Sequence, residues 1–205
     1  SDVCSSGSMR PTCLKARQQN ISYPKVSTPK EKEMDRVYRF NWNGQTFKIE
    51  DFKKTYKENQ GIVLWRHPKN AKVIKNERCL LYFGEGGSRV ATKKLVGVVG
   101  IGKVLDDEEF TFTSTTAPWY LKTLKDKSSR PIEKQVFAKI KISVDFDRAL
   151  VSKEEIDAVF HKGSFWPSGH FGSGPIEDEK SAIQLFIMAD EEARKRTHHL
   201  LTFLN

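Results

Sequence analysis

Cysteine is scarce in this 205-residue chain, and its pattern argues against two classes of protein. Only Cys4, Cys13 and Cys79 occur. An odd number cannot pair completely, and none stands in a C-x-x-C or C…H-x-x-x-H arrangement, so neither a disulfide framework nor a zinc site is expected. Long apolar runs are missing as well, since none approaches the roughly 20 residues that a transmembrane helix needs. The opening Ser1 to Ser8 has no basic segment followed by an apolar one, which is not the pattern of a secretory signal. A reducing intracellular compartment, nuclear or cytoplasmic, is the expectation. Catalytic signatures are also lacking: no G-x-S-x-G, H-E-x-x-H or Walker motif appears. The acids gather in contiguous clusters, Asp106 to Glu109 and Glu177 to Glu179. Such clusters suit turns and helix N-termini better than carboxylates converging on a metal from adjacent strands. A non-enzymatic protein without cofactor or metal is therefore expected, either alone or as a specificity domain beside other domains of a larger enzyme or assembly.

What the chain has is positive charge. Thirty-five Lys and Arg face 26 Asp and Glu, a formal net charge of +9, while hydrophobic residues make up 38%. Excess charge of this sign raises the local concentration of polyanions, of which nucleic acid is the commonest. Surface lysine also serves solubility, so basicity explains attraction and not recognition.

Residues 1–35 read as a disordered or tag-derived basic tail, because Pro11, Pro24 and Pro29 interrupt a run of Lys, Arg, Gln and Ser that cannot pack. One domain over 36–205 follows. Val37, Tyr38, Phe40 and Trp42 read as a strand, and Asn43-Gly44 is a turn dipeptide, so a hairpin with Gln45 to Ile49 is predicted. Ile49, Phe52 and Tyr56 at helical spacing predict a helix that Gly61 stops. Ile62 to Trp65 reads as a buried strand leading into the Pro-broken loop Arg66 to Asn70, with a helical turn at Ala71 to Ile74. Arg78 to Phe83 and Leu95 to Leu105 read as paired strands. In the second, Gly97, Gly100 and Gly102 predict a sharp curve. Between them lies a glycine-rich basic loop. Phe110 to Thr116 and Gln135 to Asp145 supply further strands. Ser152 to Phe160 opens with a capping box and is predicted helical. Ile176 to Ala189 reads as another helix, with Arg194 to Asn205 as a C-terminal extension.

The sequence Leu64-Trp65-Arg66-His67-Pro68-Lys69-Asn70, followed by Leu80-Leu81-Tyr82-Phe83 and Val96-Gly97-Val98-Val99-Gly100-Ile101-Gly102-Lys103-Val104, resembles the PUA-like superfamily, its EVE and YTH branches above all. The resemblance covers roughly residues 45 to 190. It implies an α+β fold, a small curved mixed sheet or partial barrel flanked by helices. It also implies a pocket in which aromatic walls accept one extruded, often methylated, nucleobase. Trp65 matches the Trp of the first buried strand, Asn70 the polar residue in its loop, and Trp119 a second wall. The Gly163 to Gly174 segment, with Trp166 and His170, stands where such proteins close a loop over the pocket.

Stacking on an indole contributes roughly 1 to 3 kcal/mol per base, and extruding a base costs a few kcal/mol, so two walls outweigh the extrusion. The predicted base contacts are Trp65, His67, Asn70, Trp119, Tyr120, Trp166 and His170. Arg66, Lys69, Arg89, Lys93 and Lys94 are the predicted phosphate contacts. A module binding DNA or RNA at a modified or flipped base is the leading expectation. An aromatic-cage peptide-binding domain is the alternative, and a metal-dependent nuclease a weaker one. The decisive geometry is whether Trp65 and Trp119 face each other across an open pocket.

Overall fold

The computed structural model describes residues 36–44, 46–84, 90–122, 131–160, 165 and 172–203; the basic tail over 1–35 lies outside them. Val37–Trp42 forms β1, with Tyr38, Phe40 and Trp42 on one face. The expected hairpin does not form. The Asn43 carbonyl accepts from the N–H groups of Thr46 and Phe47, at 3.0 and 2.9 Å, and this turn leads directly into α1 (Ile49–Glu58). Phe47 is thereby drawn inward, where its carbonyl accepts from Trp42 Nε1 at 2.7 Å. In α1 the acids Glu50 and Asp51 stand in the first turn and Lys57 in the last, an arrangement favoured by the helix dipole.

Gly61, at φ 78°, ends the turn after α1. β2 (Ile62–His67) then runs two residues past the predicted strand. β3 (Arg78–Phe83) and β4 (Gly97–Val104) pair antiparallel as expected. A short 3₁₀ helix, Val90–Leu95, occupies part of the segment expected as loop. The short helix α2 is Trp119–Lys122. β5 (Val136–Val144), β6 (Val151–Ser152), α3 (Lys153–Val159), β7 (Gly174–Pro175) and α4 (Glu179–Phe203) complete the order. Two expected elements are absent: Ala71 to Ile74 is not helical, and Phe110 to Thr116 keeps only a bridge from Phe110 to Phe137. The two predicted C-terminal helical pieces are one continuous helix.

The strands form one mixed sheet in the order β2-β5-β4-β3-β1-β7, with β6 on β4, and β1 parallel to β3. It curls into a half-barrel because β4 changes partners along its length. Gly97 and Val98 pair with β6, whereas Gly100 to Val104 pair with β5. The pairing with β3 shifts register between Leu81 and Tyr82 at the same place. Gly97 is required there: its φ is +139°, and a Cβ would collide with the Val151 carbonyl oxygen.

Curling separates two cores. Inside it, Phe52 is fully buried and its ring meets those of Trp42, Phe47, Tyr56, Trp65 and Phe146, with centroids 4.8 to 6.3 Å away. Outside, α4 lays Ala182, Leu185 and Ala189, all fully buried, into the cluster containing Leu80, Val98 and Ile101. That spacing puts one helix stripe on the sheet. α3 begins with the predicted capping box, Ser152 and Glu155 each accepting from the other's backbone N–H. Arg196 clamps the far part of α4: its Nη2 donates to the Ala149 carbonyl at 2.8 Å and its Nη1 pairs with Asp145 at 2.5 Å. Burial would raise the Asp145 pKa, but the Arg196 hydrogen bond and the N–H groups of Asp147 and Arg148 outweigh it and hold it below its usual value. The Phe52→Ala variant should lose about 3 to 5 kcal/mol of stability, read as a lower urea midpoint at unchanged slope.

Candidate nucleic-acid interface

Trp65 faces the interior. It lies on β2 between Val63 and His67, three alternating positions that all point inward, and it is 6% exposed. The rings of Phe47 and Phe52 pack on it at 6.0 and 5.3 Å, and its Nε1 donates to the Asn41 carbonyl at 3.1 Å. Trp65 and Trp119 therefore do not form two open walls. The alternation that carries Trp65 into the core carries His67 there too, at 5% exposure. Its Nδ1 lies 2.9 Å from the Pro68 carbonyl, so Nδ1 carries the proton and donates. Burial lowers the His67 pKa and keeps the ring neutral. Neither residue is placed to read a base edge. Tyr120 is also buried; its ring stacks on Phe47 at 6.3 Å, and its hydroxyl accepts from the Leu64 N–H at 3.2 Å. Burial raises its pKa, and the Leu64 bond acts in the opposite sense.

The same short helix that buries Tyr120 turns Trp119 outward. Trp119 and Ile187 are the two large hydrophobic residues exposed among the described residues, Trp119 by 37%. Its Nε1 donates to Glu58 Oε2 at 3.1 Å, and Lys54 Nζ sits 4.6 Å from its ring centre. Lys54 and Glu58 are one helical turn apart on α1 and only 3.9 Å from each other. The indole is thus oriented by α1 with a cation at its face, an attraction worth about 0.5 to 1 kcal/mol at an exposed site. Lys122, exposed on the last turn of α2, reaches the Thr115 carbonyl at 3.4 Å. Lys54 and Glu58 carried no signal beyond their i, i+4 spacing, which marks an exposed helix face.

Arg66, Lys69 and Asn70 are exposed at the end of β2 and in the turn beyond it; Arg66 Nη1 donates to Gln135 Oε1 at 3.4 Å. Lys93 and Lys94 are exposed at the end of the 3₁₀ helix, and the Lys94 carbonyl accepts from the Ala149 N–H at 2.8 Å. Arg89, Trp166 and His170 lie outside the described residues.

One buried cation had no sequence signal. Arg39 is fully buried, donating to the carbonyls of Phe165 and, at 2.9 Å, Gly172, with its guanidinium 4.9 Å from the Phe165 ring. Desolvation lowers its pKa to about 10. Asn41 reinforces this tie, its Nδ2 donating to the Gly172 carbonyl at 3.0 Å and its N–H to Ser173 Oγ at 3.1 Å. No protein-family profile, curated protein or solved structure matches the chain.

Two outcomes separate the structural role of β2 from a ligand role. Trp65→Phe keeps a ring but removes the N–H and part of the buried indole volume, and should lower stability by about 2 to 3 kcal/mol, a melting shift of roughly 4 to 12 °C, with oligonucleotide affinity unchanged. His67 binds a proton more readily unfolded than folded, so its contribution is intact above the unfolded pKa of about 6.5 and is lost as pH falls through it. Stability measured between pH 8 and pH 5, both approximate limits, should therefore fall on the acid side. His67→Gln should flatten that part of the profile.

Proposed function

We propose that this chain is a nucleic-acid-binding module of the PUA-like type, with an unstacked base resting on the exposed indole of Trp119. The carrying observation is Trp119 itself: an indole held outward by Glu58 with Lys54 over its ring, in a chain of net charge +9. An exposed aromatic beside cations is the combination that single-stranded nucleic acid uses, because every base offers a π-face and every nucleotide a phosphate. The curled sheet, its glycine-bent β4 and the flanking helices support the PUA-like part of the reading. With Trp65 committed to the core, Trp119 is the wall the reading rests on among the described residues. A methylated base gains apolar contact on such a wall, so the proposed ligand remains a modified or flipped base in DNA or RNA.

Fluorescence anisotropy with labelled single-stranded DNA and RNA, each with and without a methylated base, tests this at about 50 mM salt, where phosphate contacts are strong. Trp119→Ala should weaken binding about tenfold, from a stacking contribution of about 1 to 3 kcal/mol. Trp119→Phe should lose less. Undetectable binding by the unaltered chain, or equal affinity of Trp119→Ala, would overturn the reading.

A further inference from the structure

Three strands bring three cations into line. Arg78 on β3 is the register partner of Lys103 on β4, and Lys103 is the partner of Lys141 on β5. Partners in register share a face of the sheet. Their strand neighbours Cys79, Val104, Ile140 and Ile142 belong to the inner core, which leaves the cations on the outer face. Adjacent strands lie about 4.8 Å apart, so the row spans about 10 Å. Lys103 and Lys141 are exposed and Arg78 is half-buried. None of the three pairs with a carboxylate among the described residues. Like charges directly opposite each other destabilise a sheet. The fold thus carries a repulsive row with no internal counter-charge among the described residues.

The row lies in an open groove of about 550 Å³ that no acidic residue lines. Aromatic rings stand among its walls, Phe186 of α4 and Tyr56 of α1, with the Arg78 guanidinium 5.6 Å from the Phe186 ring. Gln60 and Asn76 add neutral amides from left-handed turn positions, at φ 51° and 67°. A flat lipid surface does not enter a groove. An acidic peptide would answer the charge but leave the rings without planar partners. A nucleotide strand supplies both anions and ring faces.

We infer that this groove is a track for the phosphodiester backbone of single-stranded nucleic acid, with phosphates on Arg78, Lys103 and Lys141. It rests on the nucleic-acid reading above and places backbone contacts on strands that the loop lysines do not include. Arg78 also packs on Phe186, so the test uses Lys103→Gln with Lys141→Gln, and Lys180→Gln with Lys195→Gln as the charge-matched control on α4.

A labelled oligothymidylate is titrated over a range of salt. The groove variant should bind about tenfold more weakly, with a salt slope shallower by about 1 to 2, and should melt no lower than the unaltered chain because repulsion is relieved. An unchanged slope in the groove variant, alongside weakened Trp119→Ala, would overturn the track and leave the Trp119 reading standing. A shallower slope alongside an unchanged Trp119→Ala would support the track and remove Trp119. An equal loss in the control would overturn the track as general charge attraction. Polyglutamate binding as tightly as the oligonucleotide would overturn the assignment to nucleic acid.

Discussion

The hydrogen bond from Trp65 Nε1 to the Asn41 carbonyl joins strands that the sheet's own ladder keeps apart. β2 begins the strand order and β1 stands beyond β5, β4 and β3, yet a side chain 3.1 Å from the Asn41 oxygen bridges them. That contact is possible only because β4 bends, and it encloses the aromatic core around Phe52. It also decides where function can lie. An indole that seals the half-barrel from inside, packed by Phe47 and Phe52 and bonded at its nitrogen, presents no open wall to a ligand. Tyr120 repeats the logic at the free edge of β2, where its hydroxyl takes up the Leu64 N–H that would otherwise invite another strand.

Burial and exposure are assigned here by small offsets in sequence. Trp119 and Tyr120 are adjacent on one helical turn, and the step of about 100° between them sends one ring onto Phe47 and the other into solvent. α1 is used in the same way. Phe52 anchors it, Lys54 and Glu58 orient Trp119, and Tyr56 lines the cationic groove. Residues two apart on a helix point to nearly opposite sides. One helix therefore separates the exposed indole from the groove while holding a wall of each.

Period-two alternation made most strands readable, and the Ser152 capping box and Gly61 stop were legible as local chemistry. The hairpin expected after Trp42 failed because Asn43-Gly44 signals a turn but does not specify whether a strand or a helix comes next. Here Phe47 takes the Trp42 N–H and Phe52 of α1 packs edge-on against the Trp42 ring, while β1 pairs in parallel with β3 instead of with the segment that follows it. The direction of Trp65 was also hidden. Alternation places Val63, Trp65 and His67 on one face but leaves open whether that face is pocket or core. Arg39 shows the reverse ambiguity, since an Arg among alternating apolar residues looks solvent-facing until a later segment folds over it.

The cationic row was the least legible feature for a different physical reason. Each member looks like an ordinary surface residue of a strand, and Lys139 and Lys141 even alternate as solvent-facing positions should. Their meaning lies in register, which depends on where β4 bulges. A shift of one residue in the β3–β4 pairing would move Arg78 away from Lys103 and disperse the charge. The irregularity in β4 opposite Leu81 and Tyr82 is thus one of the features on which the alignment of the cations depends. Fold and surface charge therefore meet in β4, which pairs with β6 at Gly97 and Val98 and carries Lys103 between Arg78 and Lys141.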